Sequence, residues 1–308
     1  GVNARLALKR KKTLPELPQM NDPRFLGLIG QMASLLPVTS LTNPQLFAML
    51  ILKMVKISLK HGNTIHSPLV YASYGLISAI LGNLRTAGNM QEVALQLSAR
   101  YHSHPVRVPV HFTVASFLSH WKEHLHKTLA HAVRAYESAL EFGNFFMGGG
   151  ILSRITQIRL ILGEPLSRVQ EECASSLAFT RRFGLENLSV FFVLVKKFIE
   201  DQQGVSAVPF TSGEADCLAE TLIRNRNGPL VISYYLLKIQ SLYLSGRHAE
   251  ALRVFLEVDE DSRGSVRAMV LFPEYVFWHS LAITASYEQL GEREKGHYWK
   301  ILKRNQRK

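Results

Sequence analysis

Cysteine is scarce in this 308-residue chain, and recognisable catalytic motifs are missing. Both cysteines, Cys173 and Cys217, fall in predicted helices, which favours buried free thiols over a disulfide or a metal site. The chain has no Walker lysine, no HRD or DFG motif, and no Ser/His/Asp, Cys/His or paired-carboxylate set with a recognisable local spacing. We therefore expect a segment that is not an enzyme and that holds no cofactor.

Long apolar runs are missing as well. The run that starts at Leu46 is broken by Lys53, and the run 69–81 contains tyrosine, serine and glycine and is far shorter than a bilayer span. The basic N-terminal residues are not followed by an apolar signal-peptide core before Pro15. These features predict no membrane span and a cytoplasmic location.

Acidic residues are outnumbered by basic ones, 24 to 36, which gives a net charge of +12 and an isoelectric point of about 9.8. Such a charge can indicate contact with nucleic acid. The excess is concentrated in residues 9–12 and 300–308, however, and the middle of the chain has no dense basic stripe interleaved with aromatics. A solvated basic surface is therefore favoured, and a basic helical-repeat nucleic-acid-binding module remains the alternative function.

The sequence does contain a regular series of turn signals, about one every forty residues. They begin at Gly82, Trp121, Gly163, Gly204, Gly246 and Gly291, in steps of 39, 42, 41, 42 and 45 residues. A fixed period of this size is typical of repeat arrays, in which stacked neighbours bury the apolar faces that one repeat leaves open. An array of helix pairs is a surface for holding a partner, so binding is favoured over catalysis.

Helix-length amphipathic stretches flank these turns, and no alternating strand pattern is present. Residues 44–61, for example, follow an Asn43-Pro44 start signal and carry apolar residues at three- and four-residue spacing. The helix that starts at Pro23 is expected to stop at Pro37. Residues 259–268 are expected to form a polar loop.

The predicted fold is all-α: a superhelical array of about seven α-α hairpins, similar to a tetratricopeptide solenoid. Residues 1–22 are interpreted as a linker, 23–304 as a single domain with an irregular break near 204–212, and 305–308 as a tail. The sixth hairpin carries the tetratricopeptide pattern of large, small and aromatic residues around a turn glycine, at Tyr235, Leu242, Gly246, Ala251 and Phe255. The period exceeds the usual value of about thirty-four residues, so we expect longer helices.

Two segments suggest specific chemistry, and both have a structural explanation. Seven of the twelve histidines fall in 102–131, and His120 and His124 have metal-ligand spacing, but the predicted hairpin turn lies between them. Met147 to Gly150 is rich in glycine, but no Lys-Ser/Thr follows and no strand precedes it. Close helix packing is therefore favoured there over phosphate binding, and we expect no metal site.

Aromatic residues near the predicted turns are the remaining candidates for ligand contact. Core packing is the favoured interpretation for each of them, because large rings dominate the interiors of helical proteins. Ring faces that line a groove between hairpins would instead hold a peptide or a small effector. The candidate interaction residues are Tyr71, Tyr74, His120, Trp121, Tyr234 and Tyr235.

Four segments resemble a known family. They are Asn43 to Asn63, Tyr71 to Leu76, Phe117 to Glu123 and Gly163 to Leu166, and the likeness extends from about Leu14 to Trp299. Together they are similar to the helical region of large hybrid signalling proteins, in which a Ser/Thr-kinase-like domain precedes an AAA/STAND-type ATPase, a tetratricopeptide-like arm, a GAF domain and often a histidine kinase.

The resemblance implies a regulatory role without catalytic residues. In that family the arm senses a protein, peptide or small effector and restrains the adjacent ATPase. The resemblance therefore implies that this segment is a regulatory domain for signal transduction, acts through protein–protein interaction and belongs to a two-component system. Lys9 to Lys12 would mark the junction with the ATPase, and the residues after Trp299 would lead towards the GAF domain.

Overall fold

The protein is all-helical in a computed structural model that describes residues 13–101 and 104–306. Helix accounts for 80% of the structure, and the described residues contain no strand, only an isolated parallel bridge between Gln19 and Asn63. Fifteen α-helices lie in these ranges. They are α1 Pro23–Thr42, α2 Pro44–His61, α3 Ser67–Ile80, α4 Leu84–Tyr101, α5 His104–Thr113, α6 Leu125–Glu141, α7 Phe145–Ile161, α8 Leu166–Arg182, α9 Glu186–Gln202, α10 Gly213–Arg224, α11 Gly228–Leu244, α12 His248–Glu257, α13 Glu260–Ser265, α14 Leu271–Ser286 and α15 Glu292–Asn305.

One turn geometry ends most of the middle helices. After α3, for instance, Asn83 N donates to Ser78 O at 2.8 Å, and Gly82 between them has a φ of 80°. This Schellman closure satisfies carbonyls that the helix leaves unpaired, and it needs a left-handed residue that glycine adopts readily. The left-handed residues of the matching turns are Gly82, Gly143, Gly163, Gly184, Gly204, Arg226 and Gly246.

These turns recur about every twenty residues rather than every forty. From Gly143 onwards the steps between left-handed residues are 20, 21, 20, 22 and 20. Five helices (α6, α7, α8, α9 and α11) have the same length of 17 residues. The forty-residue rhythm of the sequence therefore consists of two helix-plus-turn units of equal length.

The described chain divides into two compact units, with the boundary after Ile151 inside α7. The core of the first unit contains fully buried Met54 and Leu97 and Tyr71 at 0% exposure. In this unit α3 packs closely on α4: a Cβ at Gly75 would lie 3.2 Å from Met90 Cβ and 3.3 Å from the carbonyl oxygen of Ala87. The small residue at 75 thus allows two helices to approach, as the repeat pattern predicts.

The second unit is organised around α11. Most residues of this helix are buried, including Ile232, Leu236 and Ile239. Helices α9, α10, α12, α13 and α14 pack against it within the unit. A helix that is apolar around most of its circumference must be covered on most sides, which explains why five helices surround α11.

Part of the predicted linker belongs to the fold of the first unit. Leu14 and Met20 are each 1% exposed. The backbone pairs with the residue after α2: Met20 N donates to Asn63 O at 2.9 Å, and Asn63 N donates to Pro18 O at 2.8 Å. Residues 1–12, with the basic segment from Lys9 to Lys12, lie outside the described residues.

The prediction that the first helix stops at Pro37 is wrong. Helix α1 continues to Thr42 because its apolar face continues, with Met32, Leu36 and Thr39 all buried at helical spacing. Pro37 is exposed, so the carbonyls that it leaves without an amide donor can face water. The predicted end of the next helix, at His61 before Gly62, is confirmed.

The two predicted internal loops have different outcomes. Residues 203–212 contain no helix, which confirms the irregular segment before α10. Residues 260–265 are helical, so the loop predicted for 259–268 is wrong in its first half. Asp259 explains the difference, because its side chain accepts from Ser262 N at 2.8 Å and caps the short helix α13.

Candidate functional site

Two of the predicted interaction residues, Tyr234 and Tyr235, lie in α11 with their ring centroids 5.1 Å apart. Their exposures are 2% and 8%, so both rings pack in the core, as the sequence favours. The Tyr234 hydroxyl donates to Asp216 Oδ1 of α10. Burial, and secondly this hydrogen bond, raise the pKa of Tyr234, so its phenol stays protonated and is a poor base or nucleophile.

A charged cluster lies beside Tyr234 and reaches the surface. Lys238 Nζ is 3.0 Å from Asp216 Oδ1 and 3.9 Å from Glu257 Oε2, so one lysine is shared by carboxylates from α10 and α12. The lysine side chain is 14% exposed, whereas the two acidic side chains are 45% and 51% exposed. The cluster therefore presents one excess negative charge to solvent and suits a cationic group of a partner.

The sequence did not single out this charged cluster. Lys238 is four residues after Tyr234, so the two share a helix face, and that spacing is a usable signal. Asp216 and Glu257 come from other helices, and no local pattern connects them to Lys238.

The cluster also affects the neighbouring tyrosine. Burial, and secondly the charge of Glu257, raise the pKa of Tyr235.

Tyr71 and Tyr74 lie in α3 and have 0% and 4% exposure. The hydroxyl of Tyr71 donates to Asn63 Oδ1 at 3.4 Å, and Asn63 Nδ2 donates to Leu14 O at 2.8 Å. Burial of the ring raises the pKa of Tyr71. These contacts give both tyrosines a place in the core of the first unit, and their role in ligand contact stays a prediction.

His120 and Trp121 are the most accessible of the six predicted residues. They end an irregular stretch in which α5 passes into a π-helix, Val114–Leu118, and a 3₁₀ turn, Ser119–Trp121. Their ring centroids are 4.7 Å apart, and both side chains are partly exposed. Since α6 begins only at Leu125, the turn predicted between His120 and His124 is confirmed, and the two do not share a helix face.

The ring of His124 stacks on that of His126, with centroids 5.0 Å apart. His131 Nε2 lies 3.2 Å from Glu123 Oε2. Burial, and secondly the charge of Arg107, lower the pKa of His111 to about 4. Within the described ranges, no three His, Cys, Asp or Glu side chains surround a common cation position. His102 lies outside the described residues.

The cysteines and the glycine-rich segment have simple placements. Both cysteines are free, but only Cys173 is buried, so the prediction of a buried thiol is wrong for Cys217. Cys217 lies on the exposed side of the amphipathic helix α10, whose buried positions are Ala215, Ala219 and Leu222. The glycines 148–150 lie inside α7, which confirms their predicted helical setting.

Comparison with known proteins gives no family: no protein-family model matches the chain, and no curated protein matches it. Among the described residues, no helix has both the length and the apolar character needed to cross a bilayer. The function must therefore be inferred from the fold and from the side chains described above.

Proposed function

We propose that this chain is a non-catalytic repeat arm that binds a protein, peptide or small effector and regulates neighbouring domains of a multidomain signalling protein. The observation that carries the proposal is the repeated helix-and-turn unit. From Gly143 to Gly246, left-handed turn residues recur at steps of 20 to 22 residues, with the same Schellman hydrogen bonds. Equal units of this kind are the building blocks of tetratricopeptide-like solenoids, which serve as binding scaffolds.

The regulatory mechanism follows from thermodynamics. A repeat array flexes by small changes at each interface between neighbouring helices. A ligand that binds one curvature more tightly than another shifts the equilibrium by that difference in affinity and by no more. The arm would transmit this shift to an adjacent ATPase without performing any chemistry itself.

The candidate contact points have different chemistry. His120 and Trp121 are partly exposed residues beside an irregular helix, and π-helical turns occur frequently at functional sites. The cluster of Lys238, Asp216 and Glu257 offers excess negative charge for a basic group. A protein or peptide with basic and apolar side chains fits these features best.

The wider context of the arm comes from the sequence resemblance. We place the chain after an AAA/STAND-type ATPase and before a GAF domain, in a protein that also carries kinase modules and acts in the cytoplasm. The reading frame on both sides of this segment tests the placement directly. Flanking sequence without an ATPase module would contradict it.

The test of regulation uses the whole parent protein. ATPase activity is measured with and without the arm, and again with the double variant Trp121→Ala, His120→Ala. Deletion is expected to change the ATPase rate or its response to the effector, and isothermal titration is expected to show weaker partner binding by the double variant. ATPase regulation that is unchanged by deletion would refute the proposal.

A basic stripe on α2 favours the second candidate function, nucleic-acid binding. Lys53, Lys56 and Lys60 are all exposed and lie on one face of the helix, and none of them forms an ion pair among the described residues. Binding to a phosphate backbone would weaken steeply as salt is raised. Fluorescence anisotropy with DNA and RNA at low salt tests this function, and a flat titration would dismiss it.

A further inference from the structure

Helix α7 places two arginines inside the second unit, and their environments differ. Arg154 is 5% exposed and Arg159 is 9% exposed. Arg159 has two carboxylate partners: Nη1 lies 2.6 Å from Glu164 Oε2, and Nε lies 2.8 Å from Glu172 Oε2. Its charge is therefore balanced inside the protein.

Arg154 has no carboxylate partner. All 24 acidic side chains belong to the described part of the chain, and none of them lies within ion-pair distance of this guanidinium. Its Nη1 donates to Gln157 Oε1, and its Nε has no acceptor among the described residues. The guanidinium, the most basic group among protein side chains, is thus buried with a neutral amide as its hydrogen-bond partner.

The charge on Arg154 persists at neutral pH. Burial lowers the pKa of this guanidinium to about 9, which still leaves it protonated near pH 7. A buried charge is stable only when an opposite charge and hydrogen bonds compensate for the lost hydration. The enclosed guanidinium therefore requires an anion that the chain itself does not provide.

Neighbouring side chains hold the guanidinium in a fixed orientation. Gln157 Nε2 donates to Ser233 Oγ of α11 at 2.6 Å, and Ser233 Oγ donates to Pro229 O at 2.8 Å. This relay directs Gln157 Oε1 at Arg154, whereas Nε of the guanidinium is buried without a hydrogen-bond acceptor among the described residues. A planar guanidinium edge matches the two oxygens of a carboxylate or phosphate group.

We propose that Arg154, Gln157 and Ser233 form a binding site for the oxyanion of a small effector, a carboxylate or phosphate group that pairs with Arg154. The depth of the site excludes a macromolecule and selects a small anion. The inference deepens the proposed function and rests on it only in treating the ligand as an effector. The bound anion would supply the missing charge and stabilise the second unit.

Anion-dependent stability tests the site. Thermal unfolding and isothermal titration are carried out with sodium phosphate and with sodium acetate, at an ionic strength held constant with sodium chloride. The melting temperature is expected to rise with one or both anions, and the comparison distinguishes phosphate from carboxylate. Arg154→Met should bind at least about tenfold more weakly, because it loses a charge-assisted pair.

Arg181→Met is the matched control, because this arginine lies on the exposed surface of α8 in the same unit. It should respond to the anions as the wild type does. A wild-type protein that responds to neither anion, or an Arg154→Met variant that keeps the full response, would overturn the proposal.

Gln157→Glu provides a second test that does not depend on the folding of Arg154→Met. The new carboxylate would stand next to Arg154 and supply an internal counter-ion. This variant is expected to melt no lower than the wild type in sodium chloride and to lose the anion response, and a full anion response would contradict the site. A full anion response of Gln157→Glu would refute the anion site only. The proposed regulatory function is tested separately, by deletion of the arm.

Discussion

Buried polar clusters occur in both units, and they differ in whether their hydrogen bonds are complete. In the first unit, the Asn63 cluster consists of Asn63, Tyr71 and the backbone of Leu14, Pro18 and Met20. The side chain and the backbone of Asn63 all have partners there, at 2.8 to 3.4 Å. In the second unit, the Arg154 cluster consists of Arg154, Gln157, Ser233 and the carbonyl of Pro229, and its guanidinium lacks both an anion and an acceptor for Nε.

The difference separates a structural role from a binding role. We call a cluster closed when every hydrogen-bonding group in it has a partner. The closed Asn63 cluster fixes the chain between Leu14 and Tyr71 and leaves no polar group for a ligand to bind. In an open cluster an unpaired group raises the free energy of the folded state; an anion that binds only the folded state removes this cost and stabilises the protein. Substitutions in the first unit should therefore act on stability alone, and those at Arg154 on anion response.

The largest effect is expected from Gly62→Ala, which breaks the closed cluster. Gly62 has a φ of 105°, and a Cβ at this position would lie 2.2 Å from Pro18 O, which is backbone and cannot rotate away. We expect the free energy of unfolding to fall by at least about 3 kcal/mol. Urea denaturation measures the loss.

Gly82→Ala is the control for backbone conformation alone. Its φ is 80°, but the space around its missing Cβ is open. The expected cost is about 1 kcal/mol. Equal losses for the two variants would mean that the contact with Pro18 does not restrict the segment.

Arg159→Met is expected to have the next largest effect. It leaves Glu164, whose side chain is 13% exposed, without its 2.6 Å partner, since the remaining contact, to Arg168 Nη1, is 3.5 Å long and Arg168 is exposed. Breaking a buried ion pair from one side costs about 3 kcal/mol. Urea denaturation of this variant beside Arg154→Met compares the two arginines directly.

Arg154→Met should lose far less stability than Arg159→Met in sodium chloride without phosphate or acetate, because it removes a charge that has no partner. A loss at Arg154 equal to that at Arg159 would show that both guanidinium groups are compensated internally. The contrast between a balanced and an unbalanced buried arginine would then disappear.

Local signals account for the part of this fold that the sequence predicts. Asn43 caps α2 through a hydrogen bond to Leu46 N at 2.9 Å, and Gly246 ends α11 in a left-handed conformation; both positions follow from residue type. The all-helical class follows from the same signals. The continuation of α1 through Pro37 does not, since it depends on burial of the opposite face by tertiary packing.

The Arg154 cluster illustrates what local patterns miss. The segment Ser153 to Gln157 contains polar residues on more than one face of a helix, which is the only local sign of a polar interior. Ser233 is 76 residues away from Gln157, so their contact depends on the packing of α7 on α11. The absence of a counter-ion is visible only when every neighbour of the guanidinium is known.

A smaller effect, about 1 kcal/mol, is expected from Tyr71→Phe, which tests whether the Asn63 cluster is closed. The substitution keeps the ring in the core and removes the hydroxyl that donates to Asn63 Oδ1. Phosphate and acetate should stabilise this variant as much as they stabilise the wild type, because the Arg154 cluster is untouched. A changed anion response, measured by thermal unfolding, would contradict the separation of roles between the two clusters.

The smallest effect concerns the pH dependence of the second unit, through His279. Its ring stacks on Phe255 with centroids 4.3 Å apart, and burial, followed by the charge of Arg304, lowers its pKa from 6.5 to about 4. Arg263 and His297 add positive potential at the ring.

Between pH 4 and pH 6.5, His279 therefore binds a proton in the unfolded chain but not in the folded chain. Stability contributed by neutral His279 is complete above pH 6.5 and is lost as the pH falls towards 4, with a loss of about 1 kcal/mol at pH 6. His279→Phe should flatten this part of the profile in urea titrations between pH 7 and pH 6, whereas substitution of exposed His126 should leave it unchanged. Parallel profiles for the wild type and His279→Phe would show that His279 takes up its proton in the folded protein as readily as in the unfolded chain.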